Sequence, residues 1–228
     1  MQKESHVWFR NKVVTMFEDH DQARKGQDKA RFCADAGADR QVVSAVALNA
    51  ASLGIPCIYY GTEQAFDGSG RSDQFLRETM FGGEYGAFQS RGRHFFREDA
   101  PAYRDVSAVL RLRRELLPLR RGRQYLRQIS GNGVDFGLPR LLGGVIRSVV
   151  PWSRILDETE VLCAINTDPG QPSTAWVTVD AGLHRVGESL RCLYSPHAAE
   201  IGRAVGVEAR NGKAVQLTVP PGGFVIYG

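Results

Sequence analysis

Apolar positions along the chain fall into two regimes that change near residue 121. In the first, short continuous apolar runs alternate with stretches whose apolar residues recur three and four positions apart, the pattern of strand and helix in turn. Lys12–Phe17 (KVVTMF) is β-branched and apolar and predicts a buried strand. The polar stretch Glu18–Phe32 follows, broken by Gly26. Asp39–Leu53 predicts a helix: Val42, Val43, Val46, Ala50 and Leu53 share one face, Asp39 stands as its cap, and Gly54 sits where a left-handed stop is expected. Ile55–Gly61 (IPCIYYG) is apolar on both faces and reads as a second buried strand, of the parallel kind.

The stretch Gly61–Ala100 lacks a period but is rich in glycine and aromatics, among them Phe66, Phe75, Phe81, Tyr85, Phe88, Phe95 and Phe96. A long aromatic loop of this kind is expected to be functional rather than disordered. Helical spacing returns over Pro101–Leu119, with Val106, Val109, Leu110, Leu116 and Leu117 as the buried stripe and Arg104, Arg111, Arg114 and Glu115 off it. Pro118 and Gly122 close that segment.

Beyond Gly122 the apolar runs are short, β-rich and separated by turn residues: RQYLRQIS, GGVIRSVV, EVLCAIN, TAWVTV, ESLRCLY, VGVEAR, AVQLTV and GFVIYG. Their spacing predicts an antiparallel sandwich or barrel. The expected division is therefore residues 1–121, α/β, and residues 122–228, all-β. Two parallel strands and two helices cannot close a core, and an eight-fold βα barrel needs about 250 residues. The first part is thus expected to be a piece of a larger α/β unit, or to complete its core with another chain. A small α/β layer docked on the sandwich is the alternative, less favoured because it leaves sheet edges open.

Composition narrows the classes. Of 228 residues 43% are hydrophobic and 24% charged, which excludes wholesale disorder. No apolar stretch reaches the roughly 18 residues of a membrane span. MQKESHVWFRNK has no apolar core of a signal peptide, so a cytoplasmic location is expected, with no membrane partner. The net charge is +4, and only five of the 29 basic residues are lysines (Lys3, Lys12, Lys25, Lys29, Lys213). The segment Arg104–Arg127 is basic, but its helix already has a stripe to bury and lacks interleaved exposed aromatics, so no nucleic-acid partner is expected. Cys33, Cys57, Cys163 and Cys192 show no metal spacing and read as reduced structural thiols, Cys57 and Cys163 as small core hydrophobes. The sequence alone is also compatible with a Cys163–Cys192 disulfide. No metal site and no cofactor are expected.

The chemistry concentrates in Glu18-Asp19-His20-Asp21-Gln22, directly after the first strand. Carboxylates crowded at the C-terminal end of a parallel strand suit proton transfer or the stabilisation of developing positive charge, although an acidic loop by itself is more often a solvated one. The segment from Gly54 to Gln64, GIPCIYYGTEQ, lies one βα unit downstream. Together, Met16–Asp21 and Gly54–Glu63 resemble the fourth signature segment and the eighth barrel strand of the α-amylase family of glycoside hydrolases. Leu112–Gly122 resembles that family's last barrel helix, and the β-rich tail its C-terminal sandwich.

The resemblance implies a fold: the last two βα units of a (β/α)8 TIM barrel, followed by an antiparallel β-sandwich. It implies an activity: a retaining glycosidase or transglycosylase on α-glucosidic bonds, with an α-glucan or small α-glucoside as ligand. By the same resemblance Asp21 matches the third catalytic carboxylate and His20 the adjacent sugar-binding histidine. Asp19 stands where the family has asparagine, exchanging an amide for an acceptor-only carboxylate. Glu63 and Gly61 match strand-end positions of structural or supporting character. The family's nucleophile and acid/base carboxylates belong to earlier strands, so this chain is expected to be inactive alone unless a partner chain supplies the missing strands. The alternative is a non-catalytic glucan-binding or regulatory module that keeps half a sugar site.

Overall fold

A computed structural model describes residues 3–21, 28–80, 96–141 and 143–228. Gln22, Gly26, Phe81, Tyr85, Phe88 and Phe95, singled out above, lie outside them. The first regime forms α1 (Lys3–Lys12), β1 (Val14–Thr15), β2 (Lys29–Ala30), α2 (Val42–Ala51), β3 (Ile55–Pro56), β4 (Ser69–Gly70), α3 (Pro101–Glu115) and α4 (Leu117–Arg121). The second forms β5 (Arg123–Leu126), β6 (Ile129–Ser130), β7 (Val149–Leu156), β8 (Thr159–Asn166) and β9 (Ser173–Thr178). It ends with β10 (Ser189–Tyr194), β11 (Ala204–Gly206), β12 (Ala214–Val219) and β13 (Phe224–Tyr227).

The β-rich part is an antiparallel sandwich of a six-stranded sheet, ordered β11-β10-β13-β8-β7-β5, and a three-stranded sheet, β12-β9-β6. Residues alternate sharply across the larger sheet. Leu162, Ala164, Val225 and Tyr227 pack against Val177, Val215 and Leu217 of the smaller sheet. Their neighbours Val161, Cys163, Phe224 and Ile226 face the other way, onto Ala47, Ala50 and Ala51 of α2, Val109 of α3 and Leu119 of α4. One apolar cluster therefore crosses the point at which α4 gives way to β5. The helices α2, α3 and α4 are thus docked on the outer face of the larger sheet.

Cross-sheet polar groups fix α2 in place. The last carbonyls of a helix lack intrahelical donors; here Arg113 donates to the Ala50 carbonyl (2.5 Å), Trp152 Nε1 to Ala51 (3.2 Å), and Arg154 to Ala51 (2.8 Å) and Ser52 (2.7 Å). Cations at that end also suit the helix dipole.

Several expectations need correction. Lys12–Phe17 contributes only Val14–Thr15 as strand, because Lys12 ends α1; β3 is likewise Ile55–Pro56. These strands pair in parallel but are not buried on both faces: Val14 is 53% and Ile55 43% exposed, and Cys57 is exposed instead of filling a core. The reason is that α2 covers one face while nothing among the described residues pairs with the outer edges. Asp39 does not cap α2; it lies in a single 3-10 turn, Ala38–Arg40, whose helical backbone leads straight into α2. Leu117 leaves the stripe and is 40% exposed, since the extended Leu116 breaks the helix before Pro118 restarts it. Strand β7 starts at Val149 rather than Gly143 and runs on through Pro151 to Leu156. Arg127 N–H donates to the Pro151 carbonyl, but proline has no N–H to return, and the β5 ladder stops there. Cys163 and Cys192 are free, on opposite faces of one sheet, which no disulfide geometry bridges. Gly54 does take a positive φ, +118°, and a Cβ there would come within 2.6 Å of Thr15 Cγ2.

The sandwich holds a buried charge cluster around Glu160. The Glu160 carboxylate accepts from Arg127 Nη2 (2.7 Å), the Asp180 N–H (2.8 Å) and Ser153 Oγ, and lies 2.9 Å from His184 Nε2. Burial pushes its pKa up, but the His184 contact, the Arg127 charge, Ser153 and the Asp180 N–H outweigh burial and hold it below the ordinary value. A carboxyl depressed on folding adds stability that is present above its unfolded pKa, about 4.3, and lost as pH falls through the lower folded value. Glu160→Gln is expected to flatten the acid limb of a plot of Tm against pH below about pH 4.3. An unchanged acid limb would show that other carboxyls control it.

The bare β1–β3 pair generates a second expectation. The chain should self-associate with rising concentration and bind a hydrophobic dye, both reduced in Val14→Lys/Ile55→Lys. Light scattering of a concentration-independent monomer without dye binding would contradict this.

Candidate functional site

Because β1 and β3 are parallel neighbours, with Val14 opposite Ile55 and Thr15 opposite Pro56, their C-terminal ends open side by side. The chain leaves β1 into Glu18–Asp21 and leaves β3 into Tyr59–Gly61. The pairing is braced by Asn49 on α2, whose amide donates to the carbonyls of Thr15 (3.1 Å) and Cys57 (3.2 Å).

The four acidic and imidazole side chains after β1 take opposite fates. Glu18 turns inward and is buried, forming a two-pronged ion pair with Arg31: Nη2 to Oε1 at 3.0 Å and Nε to Oε2 at 3.3 Å. The Phe32 N–H (2.7 Å) and Thr62 Oγ1 complete its shell. Arg31 is 1% exposed and also donates to the carbonyls of Leu76 (3.2 Å) and Tyr60 (2.9 Å). Its guanidinium lies 4.5 Å from the centre of the Tyr59 ring, and Glu78 Oε2 is 3.9 Å away. One side chain thus ties together the loops after β1 and β3 and the segment around Leu76–Glu78.

His20 and Asp21 turn outward, with side chains 58% and 56% exposed. Asp21 Oδ2 is 3.1 Å from His20 Nε2, and Arg77 donates to Oδ1 at 2.8 Å. The Asp21 N–H donates to Asp19 Oδ1 (2.8 Å), which closes the turn. An asparagine oxygen would accept that bond equally, so the exchange at Asp19 leaves the turn intact and adds a negative charge beside Asp21. The His20 ring lies 6.3 Å from Tyr59.

Gly61 and Glu63 shape the facing loop. Gly61 has φ +84°, and a Cβ there would meet the Phe66 ring at 2.3 Å, so only glycine fits. Glu63 lies in the single turn Thr62–Gln64 that follows; burial raises its pKa, against the lowering effect of backbone N–H groups and Arg31. The structure brings Asp19, His20 and Asp21 into one turn and sets Gly61 and Glu63 on the loop across from it.

Arg31, Arg77, Tyr59, Thr62 and Glu78 were not expected at the site. Arg31 carried one signal: an arginine flanked by Ala30, Phe32 and Cys33 interrupts an apolar patch, and a buried arginine needs acceptors, of which a carboxylate is the strongest. Among the described residues no three His, Cys, Asp or Glu side chains group as metal ligands.

No protein-family model matches the chain. It is 27% identical over 226 residues to an α-amylase of Streptomyces lividans, an alignment that takes in 93% of this chain and 22% of that protein. An Anoxybacillus α-amylase superposes with a TM-score of 0.60 at 21% identity, over 98% of this chain and 40% of that one. A gamma-CGTase of alkalophilic Bacillus clarkii gives 0.58 at 21% identity, over 94% and 25%. The chain is similar in sequence to part of an α-amylase and shares its fold with part of α-amylase-family structures. It spans about a fifth of the length of the curated relative and a quarter to two fifths of these solved structures.

The exposed turn is held from below by the Glu18–Arg31 pair. Removing one partner of a buried pair leaves an uncompensated charge and costs about 3–5 kcal/mol. Arg31→Met is expected to lower stability by that amount in urea denaturation, and adding Glu18→Gln should recover part of the loss. If Arg31→Met costs no more than an exposed arginine substitution, the pair does not anchor the loop.

Proposed function

We propose that this chain is the sugar-site-completing C-terminal portion of an α-amylase-family glycoside hydrolase or transglycosylase acting on α-glucosidic bonds. On this reading residues 1–121 are the last quarter of a TIM-barrel domain and residues 122–228 its sandwich domain. The observation that carries the reading is the outward-facing His20–Asp21 pair at adjoining C-terminal strand ends, on a loop anchored beneath by a buried ion pair. That edge is where parallel α/β barrels bind and transform ligands.

The mechanism assigned to these residues is electrostatic. Asp21 accepts hydrogen bonds from sugar hydroxyls, and its negative charge supports the oxocarbenium-like transition state. His20 hydrogen-bonds the same sugar and orients the Asp21 carboxylate through its 3.1 Å contact. Asp19 sets the turn, while Gly61 and Glu63 shape the opposite wall. Arg77, which pairs with Asp21 in the unliganded chain, must yield that oxygen when a sugar hydroxyl claims it. A retaining mechanism also needs a nucleophile and an acid/base carboxyl about 5–5.5 Å apart. Both come from outside these residues, through the parent protein or a partner chain.

The 228 residues alone are therefore expected to show no turnover of an aryl α-glucoside; turnover that Asp21→Asn abolishes would refute this. In an assembly that supplies the other two carboxylates, Asp21→Asn should lower kcat and kcat/KM together by on the order of 10²–10³. His20→Ala should cost less, a neutral hydrogen bond contributing only about 0.5–1.5 kcal/mol. Asp19→Asn should be neutral or mildly favourable. Steady-state kinetics of the three variants decide the matter. Wild-type kcat in Asp21→Asn would remove the catalytic assignment. Glucan binding with no turnover in any assembly would favour a non-catalytic binding module.

A further inference from the structure

The basic residues of this chain are not spread evenly over its surface. A cavity of about 370 Å³ opens where α1, the α4–β5 junction and the β7–β8 hairpin meet, lined by His6, Arg10, Arg121, Arg123, Tyr125 and Asp157 among others. Three arginines and one aspartate are among its lining residues, an imbalance that a folded surface ordinarily relieves by pairing. Among the described residues Arg10 donates only to neutral oxygens, Asn11 Oδ1 (3.0 Å) and the Arg121 carbonyl (2.5 Å).

Two buried groups beside the cavity sharpen the imbalance. Arg154 is 1% exposed and spends its donors on three backbone carbonyls, one of them Gly122 in the cavity wall (3.0 Å). Among the described residues no carboxylate is paired with it, and its Nε is buried without an acceptor. Burial pushes its pKa down to about 10, and its charge still acts on Arg10 and His6. His6 Nδ1, also in the lining, is buried without a partner. Buried polar atoms are rarely left so, and each calls for a missing partner.

We propose that this cavity binds a small phosphate-bearing ligand, its phosphate held by Arg10, Arg121 and Arg123 and hydrogen-bonded by the Nδ1–H tautomer of His6. The net excess of two positive charges matches a phosphate dianion better than a carboxylate, and the guanidinium fork matches phosphate oxygens. The volume falls in the range of small-molecule sites, about 300–1,000 Å³, rather than that of a groove that tracks a polynucleotide. Tyr125, 40% exposed at the rim, offers a face for the organic part of the ligand. No residue of this site belongs to the sugar loop, so the two assignments stand or fall separately.

Titration calorimetry on the full 228-residue chain at constant ionic strength tests this, with inorganic phosphate and glucose 6-phosphate as probes and glucose as control. Saturable one-to-one binding is expected for both phosphates and none for glucose, with the ester tighter if an organic phosphate is the ligand and phosphate equal if the free ion is. Arg121→Gln/Arg123→Gln should weaken binding about tenfold or more, and Arg111→Gln on the exposed face of α3 less than about twofold. Arg123→Lys, which keeps the charge and loses the fork, should weaken it several-fold and covers the case in which the double variant fails to fold. Absence of saturable binding, undiminished binding by the double variant, or an equal loss in Arg111→Gln would overturn the proposal.

Discussion

Everything in this molecule rests on one sheet with two apolar faces. Strands β8 and β13 alternate Val161, Cys163, Phe224 and Ile226 on one side with Leu162, Ala164, Val225 and Tyr227 on the other. A sheet of that pattern cannot face water on either side, because each fully buried aliphatic or aromatic side chain is worth about 1.5–3 kcal/mol of transfer free energy. The three-stranded sheet covers one face. The other is available for helices, and α2, α3 and α4 take it. The layering follows from that demand: sheet, sheet and helices, with β1 and β3 carried on the far side of α2.

That position explains the condition of the loop Glu18–Asp21. β1 and β3 are two-residue strands, too short to hold a site by themselves. They are fixed through Asn49 on α2 from one side and through Arg31 from the loop side. The Arg31–Glu18 pair is costly to desolvate, and such pairs persist where a particular arrangement must be held. Here the arrangement is the juxtaposition of three loops that flank His20 and Asp21. The outer edges of β1 and β3 remain unpaired among the described residues, which agrees with a chain that spans only part of its relatives.

The same sheet accounts for the charge distribution. Arg154 stands on β7 facing the end of α2, where its guanidinium caps the Ala51 and Ser52 carbonyls and so joins the two regimes of the chain. Its charge is left unneutralised by this use. Arg113, which caps Ala50, adds to it. Basic residues placed for capping thus build a positive field at the α4–β5 junction, next to the cavity lined by Arg10, Arg121 and Arg123.

By itself the sequence determined the change of architecture near residue 121, the antiparallel strands beyond it, the α2 and α3 segments, the positive φ at Gly54 and the resemblance carried by Met16–Asp21 and Gly54–Glu63. These rest on period, turn chemistry and local backbone limits, which act over a few residues. Tertiary structure alone decided which carboxylate of the Glu18–Asp21 run is buried and which exposed. Glu18 goes inward because Arg31, thirteen residues on, arrives from a separate segment to neutralise it. It also decided that Cys163 and Cys192 lie back to back and that Cys57 meets solvent, since a residue's face depends on which layer packs where. The strands Lys12–Phe17 and Ile55–Gly61 read as buried because they were apolar on both sides. Apolarity states what a strand requires, and only the neighbours present in space determine whether it is met.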